Sequence, residues 1–226
     1  MSELVLVVDT SGRNGSLALA RVAEGKPEVE LVEVVPLAGG TFSAQLVPQI
    51  AEVLAKHGHS KSAIAAFSVI SGPGSFTGLR VGLAAVKALA EVLRKPIAAI
   101  SLLEAVAWSS AGRGHVLAAL DAGRDEVYVG DYVLADFPQL HSERLLTRDE
   151  FVIEANGKKV VTPDAGLAEI LRAAGVPYEL VPYPSSKIIA RLGWQHIQRN
   201  DVIPPEELEA NYIRRSDAEI FSQPRH

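Results

Sequence analysis

Phe67 to Leu93 reads FSVISGPGSFTGLRVGLAAVKALAEVL, and its interpretation sets the fold. Phe67 to Ile70 is a short apolar run of the kind that forms a buried strand. A turn rich in Gly, Ser and Pro follows, and a long helical pattern begins near Ser75 or Phe76. In that helix Leu79, Gly82, Leu83, Val86, Ala90 and Leu93 recur at steps of three and four, giving one stripe for a sheet. Val81, Ala84, Ala85, Ala88 and Val92 make a second stripe on a neighbouring face. The charges Arg80, Lys87, Glu91 and Arg94 share one narrow strip. Such a helix needs cover on two sides. Its own sheet supplies one, and the spacing leaves open whether the other is an internal helix or a foreign one. The small residues beside Gly78 and Gly82 would let a second helix approach closely.

Working outward, 226 residues with 48% hydrophobic content suffice for one large domain or two small lobes. A formal charge of −5 disfavours unaided binding to nucleic acid. With no cysteine, the chain has no disulfides, thiol nucleophiles or thiolate metal sites. Met1-Ser2-Glu3 is not a basic leader, and charges interrupt every apolar run before transmembrane length, so the expectation is a soluble, cytoplasmic protein without membrane contact.

In chain order, Leu4 to Val8 reads as a buried strand delivering Asp9, Thr10 and Ser11 into a turn at Gly12. Ser16 to Val22 and Val29 to Val35 continue as strands. A helix capped by Thr41 or Ser43 runs to about His57, its core stripe being Leu46, Ile50, Val53, Leu54 and His57, with a kink expected at Pro48. Its Ala44, Ala51 and Ala55 could lie beside the alanine face of the central helix. Pro96 to Ile100 reads as a strand and Ser101 to Trp108 as a capped helix. The pattern then restarts: strands at His115 to Leu120, Glu126 to Leu134 and Gln139 to Leu146, a helix from Arg148 to Ala155, a strand at Lys159 to Val161, and a helix from Asp164 to Ala174. A further helix spans Ser185 to Arg199. Three strands, helix, strand, helix thus occurs twice, with Asp9 and Asp121 in corresponding places. The expectation is α/β with two lobes on mixed sheets, residues 1–111 and 112–226, the C-terminal segment packing back on the first lobe.

Several chemistries can be weighed. The turn Ser71-Gly72-Pro73-Gly74-Ser75-Phe76-Thr77-Gly78 could present amides to an anion at a helix N-terminus, or be a structural strand-to-helix turn. It lacks the Gly-Lys-Ser/Thr ending of a P-loop, and Gly78 comes one residue late for a dinucleotide fingerprint. Ser75 lacks the flanks of a nucleophile elbow. Asp9-Thr10-Ser11-Gly12 and Asp121-Ala122-Gly123-Arg124 resemble the paired phosphate turns of actin-like ATPases and sugar kinases, although the second has neither a glycine run nor a hydroxyl. The residues Asp9, Thr10, Ser11, Gly72, Gly74 and Ser75 are therefore the candidate anion or nucleotide contacts. Six histidines form no ligand set, and no metal site or catalytic residue is expected.

Val7-Val8-Asp9-Thr10-Ser11, Ser71 to Gly82, Ser101-Leu102-Leu103-Glu104-Ala105, Asp121-Ala122 with Glu126-Val127-Tyr128, and Tyr212-Ile213-Arg214 stand in the order seen in the TsaB (YeaZ) family, which this chain resembles over nearly its whole length. It departs at Gly123 and Asp125, where the family usually has Arg and Gly. The resemblance implies a two-lobed actin-like ATPase or ribonuclease H-like fold with duplicated lobes. It also implies a non-catalytic scaffold in making threonylcarbamoyladenosine, next to the anticodon of tRNAs reading codons that begin with adenine. The catalytic paralogue TsaD carries a His-x-x-x-His metal motif where this chain has Thr41-Phe42-Ser43-Ala44-Gln45. Implied partners are a TsaD-like catalytic subunit and a TsaE-like ATPase, with a homodimer when alone and tRNA reached only through the complex. No intrinsic cofactor is implied, ATP belonging to the subunit interface. The implied partner face is Leu79, Val81, Ala84, Ala85, Ala88 and Val92 with Ala44, Ala51 and Ala55. The competing reading is an autonomous ATPase or small-molecule kinase acting through Asp9 and Asp121.

Overall fold

In the computed structural model, which describes residues 2–23, 25 and 28–213, β1 (Ser2–Asp9) is followed by β2 (Asn14–Ala23), β3 (Glu30–Ala38), α1 (Phe42–Lys56), β4 (Ile64–Gly72), α2 (Phe76–Leu93) and β5 (Ile97–Ser101). After α3 (Leu102–Trp108) the order repeats as β6 (Gly114–Gly123), β7 (Glu126–Leu134), β8 (Pro138–Thr147), α4 (Arg148–Ala155), β9 (Val160–Thr162), α5 (Ala165–Ala173) and β10 (Tyr178–Leu180), and α6 (Ser186–Gln198) closes the series. The two five-stranded sheets have equivalent orders, β3-β2-β1-β4-β5 and β8-β7-β6-β9-β10. Each has antiparallel pairs on the meander side of its first strand and parallel pairs on the other. The α/β fold of two lobes on mixed sheets is the one the repeated pattern anticipates.

Local chemistry explains the elements. β1 is an unbroken Leu/Val run because both faces of that strand are covered, leaving Val5 to Val8 wholly buried. Ser75 caps α2 by accepting from the Gly78 amide at 3.3 Å, and Arg94 ends it in the left-handed conformation. Thr147 and Glu150 form a reciprocal capping box on α4. α1 runs through Pro48 as one helix. His57, expected in its core stripe, is half-buried and bonded to Glu33 at 2.6 Å. β10 was not expected: with Tyr178 and Leu180 exposed on a three-residue edge strand, no alternation announces it.

Helices α1 and α2 cover one face of the first sheet and α6 the other. α6 seats closely because Ser68 Oγ donates to the Ile189 carbonyl at 3.0 Å, with Gly193 against the same serine. Beyond α6 the described residues, as far as Ile213, run along the first lobe. The Ile203 amide bonds the Ile97 carbonyl at 2.9 Å and the Asn211 amide the Ser71 carbonyl at 2.8 Å. Arg214, the last residue of the family motif quoted above, lies outside the described residues.

Candidate functional site

The turn after β1 and the start of α2 are built against each other. Ser11 donates to Asp9 Oδ1 through its amide at 2.9 Å and its hydroxyl at 2.6 Å, and the Ser75 amide donates to the Ser11 carbonyl at 2.7 Å. A methyl at Gly74 would meet the Ser11 carbonyl at 2.5 Å, one at Gly78 would strike the Thr10 carbonyl, and one at Gly82 the Thr10 hydroxyl. Glycines at 74, 78 and 82 thus form a groove down one side of the turn and helix into which residues 10 and 11 fit. The glycine spacing that suggested a phosphate loop works here as a packing device.

Of the six anion candidates, Ser11, Gly74 and Ser75 line a cleft of ≈ 340 Å³ between the lobes, facing Asp121, Asp164, Tyr128 and Tyr183. Thr10 and Gly72 do not reach it. Thr10 is 1% exposed beneath α2, its Oγ1 lacking a hydrogen-bond partner, and Gly72 lies against the Asn211 carbonyl at the back of the turn. Asp9 sits behind Ser11, 5% exposed. Burial pushes its carboxyl above 3.8, against the pull of the two Ser11 hydrogen bonds. The fold therefore holds the carboxyl proton more tightly than the unfolded chain does, a contribution to stability that is present below the ordinary value and lost as pH rises through the folded-state one. Asp164 is also raised, first by burial, then opposed by its hydrogen bond from the Asp121 amide and reinforced by the Asp121 charge. Burial and the nearby Asp9 charge push Tyr183 up to about 12.

Among the described residues no lysine or arginine lines this cleft, and two carboxylates do. Phosphate oxygens entering it would meet like charge with no cation supplied by the lining, so its residues do not by themselves fit a nucleotide. Among the described residues no cluster of three or more His, Asp or Glu side chains could hold a metal ion.

The faces of α2 are now resolved. Leu79, expected on the partner face, is a correction: at 1% exposed it belongs to the core with Leu83, Val86 and Ala90, because 3.6 residues per turn put it on the sheet side. Val81 and Ala85 are half-buried against the first core. Ala84, Ala88 and Val92 are exposed, Val92 to 71%. On α1, which packs beside α2, Ala44, Ala51 and Ala55 are exposed too, so the alanine faces of the pair look outward instead of meeting. Two charges of the strip are engaged from within the chain. Lys87 donates to the Glu206 carbonyl at 3.0 Å, and Arg80 donates to Tyr212 Oη at 3.1 Å while lying over the Phe76 ring. Between this strap and α2 lies a shallow groove walled by Ala84, Ala88 and Glu91.

One polar centre gave no signal in the sequence. His196 on α6, one of the six histidines that form no ligand set in the sequence, bridges Glu104 of α3 at 2.9 Å and Asp201 at 2.7 Å. The three lie far apart or off any metal spacing in the chain, and only the packing of α6 on α3 unites them.

Among the described residues no helix is long and apolar enough to cross a membrane. Residues 34–140 match the family described as TsaD, tRNA N6-adenosine threonylcarbamoyltransferase. The tRNA threonylcarbamoyladenosine biosynthesis protein TsaB of Escherichia coli K12 is 31% identical over 131 residues, 57% of this chain and 54% of that protein. Its counterpart in Haemophilus influenzae is 32% identical over 153 residues, 65% of this chain and 62% of that one. The matched segments thus span little more than half of those relatives. The solved structure of YeaZ from Pseudomonas aeruginosa superposes with a TM-score of 0.73 at 26% identity, covering 93% of this chain and 99% of that one. With the glycine block packed on the Asp9 turn and the doubled sheet in place, the chain is similar in sequence and in fold to the TsaB/YeaZ family.

Proposed function

We propose that this protein is a non-catalytic scaffold for threonylcarbamoyl transfer to tRNA adenosine, docking through the outer faces of α1 and α2 onto a TsaD-like catalytic subunit. The carrying observation is that α2, sealed by the sheet on one side and strapped along its charged strip, leaves Ala84, Ala88 and Val92 in solvent. Small and apolar side chains on a helix exposed in this way suit close helix packing by a partner. The likeness to proteins named for tRNA threonylcarbamoyladenosine biosynthesis supports a part in that process, and the match of residues 34–140 to the transferase family supports a structurally similar partner. In this reading a TsaE-like ATPase joins the assembly, the free chain pairs with a second copy through the same face, and tRNA and any ATP are handled by the assembled complex.

Ala84→Arg and Ala88→Arg test it. Both positions are exposed, so the variants should fold with unchanged thermal unfolding, while a guanidinium in a dry helix contact should weaken co-purification with the TsaD-like subunit at least about tenfold, a 1.4 kcal/mol loss. Wild-type binding and tRNA modification by these variants would refute the interface.

A further inference from the structure

The described surface holds another concave site, on the opposite face of the first sheet from α1 and α2. A pocket of ≈ 430 Å³ lies between the C-terminal end of α3 and α6, lined by Trp108, Arg113, Asp136, Arg191, Gln195 and Arg199, among others. Its volume falls within the roughly 300–1,000 Å³ of small-molecule sites. Whereas Arg144, Arg148, Lys158 and Lys159 each have a carboxylate partner, Arg191 and Arg199 make no ion pair among the described residues. Instead Arg191 lies 5.6 Å from the centre of the Trp108 ring and Arg199 4.1 Å from that of Phe137. A ring beneath a guanidinium fixes its plane and leaves its N–H edge free. Arg113 pairs with Asp136 at 3.2 Å, but both side chains are largely exposed, and such a pair is weak enough to exchange for a better anion. Finally, Gln195 Oε1 is buried without a donor.

From these features we infer that the α3–α6 pocket binds a nucleotide, its phosphoryl group held by Arg191, Arg199 and Arg113 and its sugar hydroxyl or base amine donating to Gln195 Oε1, which turns out of its buried, unpartnered position to accept. Planar guanidinium forks match phosphate oxygens better than point charges do. Inorganic phosphate satisfies the arginines but supplies no comparable donor for the amide. A nucleotide carries both groups within one pocket's reach. The chain is acidic overall, so this is a local site and not a general attraction for polyanions. The inference stands without the assembly role proposed above. Since the pocket and the α1–α2 face lie on opposite sides of the sheet, both can be occupied together.

The nucleotide can be free or part of an RNA strand, and the experiment separates these. Purified full-length chain is titrated at low salt with fluorescein-labelled single-stranded RNA, and bound RNA is competed with AMP, inorganic phosphate or poly-glutamate; AMP binding is also measured directly by calorimetry. The double variant Arg191→Gln/Arg199→Gln should lose at least tenfold in affinity, and where RNA is the ligand its salt slope should fall by about 0.7 per lost phosphate contact. Gln195→Leu should weaken AMP but not phosphate. Arg172→Gln, on α5, should change nothing. Binding of AMP itself identifies a free nucleotide, and binding of RNA that AMP does not displace identifies a phosphodiester of RNA. Absence of wild-type binding to both, unchanged binding by a folded double variant, or equal competition by poly-glutamate overturns the proposal, the last pointing to an acidic protein surface instead.

Discussion

Thr10 controls how near α2 can come to the first sheet. Its carbonyl and hydroxyl face Gly78 and Gly82, and its Oγ1 is buried with no partner, so the residue tolerates an unmade hydrogen bond in return for a tight helix contact. Gly82→Ala should lower stability by about 1–3 kcal/mol through overpacking, reduced by up to about 1 kcal/mol of helix propensity. The double variant Gly82→Ala/Thr10→Ala should recover most of the loss, because the obstructing hydroxyl and methyl are gone and no buried donor or acceptor is orphaned in exchange. Urea midpoints of the two single variants and the double variant decide this. A Gly82→Ala protein as stable as wild type, or one that Thr10→Ala fails to rescue, would mean that α2 is not held by this contact.

Among the elements, α6 depends on a charge cluster. Burial draws the His196 pKa down, but Glu104 and Asp201 together carry it net above its ordinary 6.5. A raised folded-state pKa stabilises the fold fully below the unfolded value and ceases to do so as pH climbs through the folded one. Wild-type protein should therefore lose stability from pH 6 upward through the range in which His196 titrates, and His196→Gln should be less stable at pH 6 and flatter across that range. Thermal unfolding at a series of pH values checks the sign. Parallel curves for the two proteins would show that His196 does not carry the dependence. Because α6 supports both the first core and the arginines of the pocket, the cluster also sets where Arg191 and Arg199 stand.

For the molecule as a whole, Glu143 ties the lobes together. Tyr132 Oη donates to it at 2.5 Å, Asn211 Nδ2 at 2.6 Å, and Ser101 Oγ, which also caps α3, donates to the same carboxylate oxygen as Tyr132. The three donors come from the second sheet, the C-terminal strap and the end of β5. Glu143→Ala should cost about 3 kcal/mol, since hydrogen bonds to a charged acceptor are the stronger kind and the donors left behind are partly buried. Glu143→Gln should fall between. Equal urea midpoints for all three proteins would refute the tie. Loosening it should also free the strap from α2, so limited proteolysis beyond Leu208 ought to quicken in Glu143→Ala.

Much of this was legible in the chain itself. Continuous apolar runs, three- and four-residue spacing and cap residues located the central strand–turn–helix, the doubled element order and the buried stripe of α2, because burial of a periodic face is a local property of sequence. The short edge strand β10 was not legible, having no alternation to betray it. Asp9, Ser11, Gly74 and Ser75 could be picked out as a cluster, yet whether glycines at 74, 78 and 82 cradle a ligand or admit a backbone depends on what stands opposite them. Tertiary structure put Thr10 and Ser11 there. It likewise set the alanine faces of α1 and α2 outward, and brought Glu104 to His196 and Asp201, and Arg113 to Arg191 and Arg199, across long stretches of chain. Periodicity fixes which residues share a face, whereas only the packing of elements remote in the chain decides what that face meets.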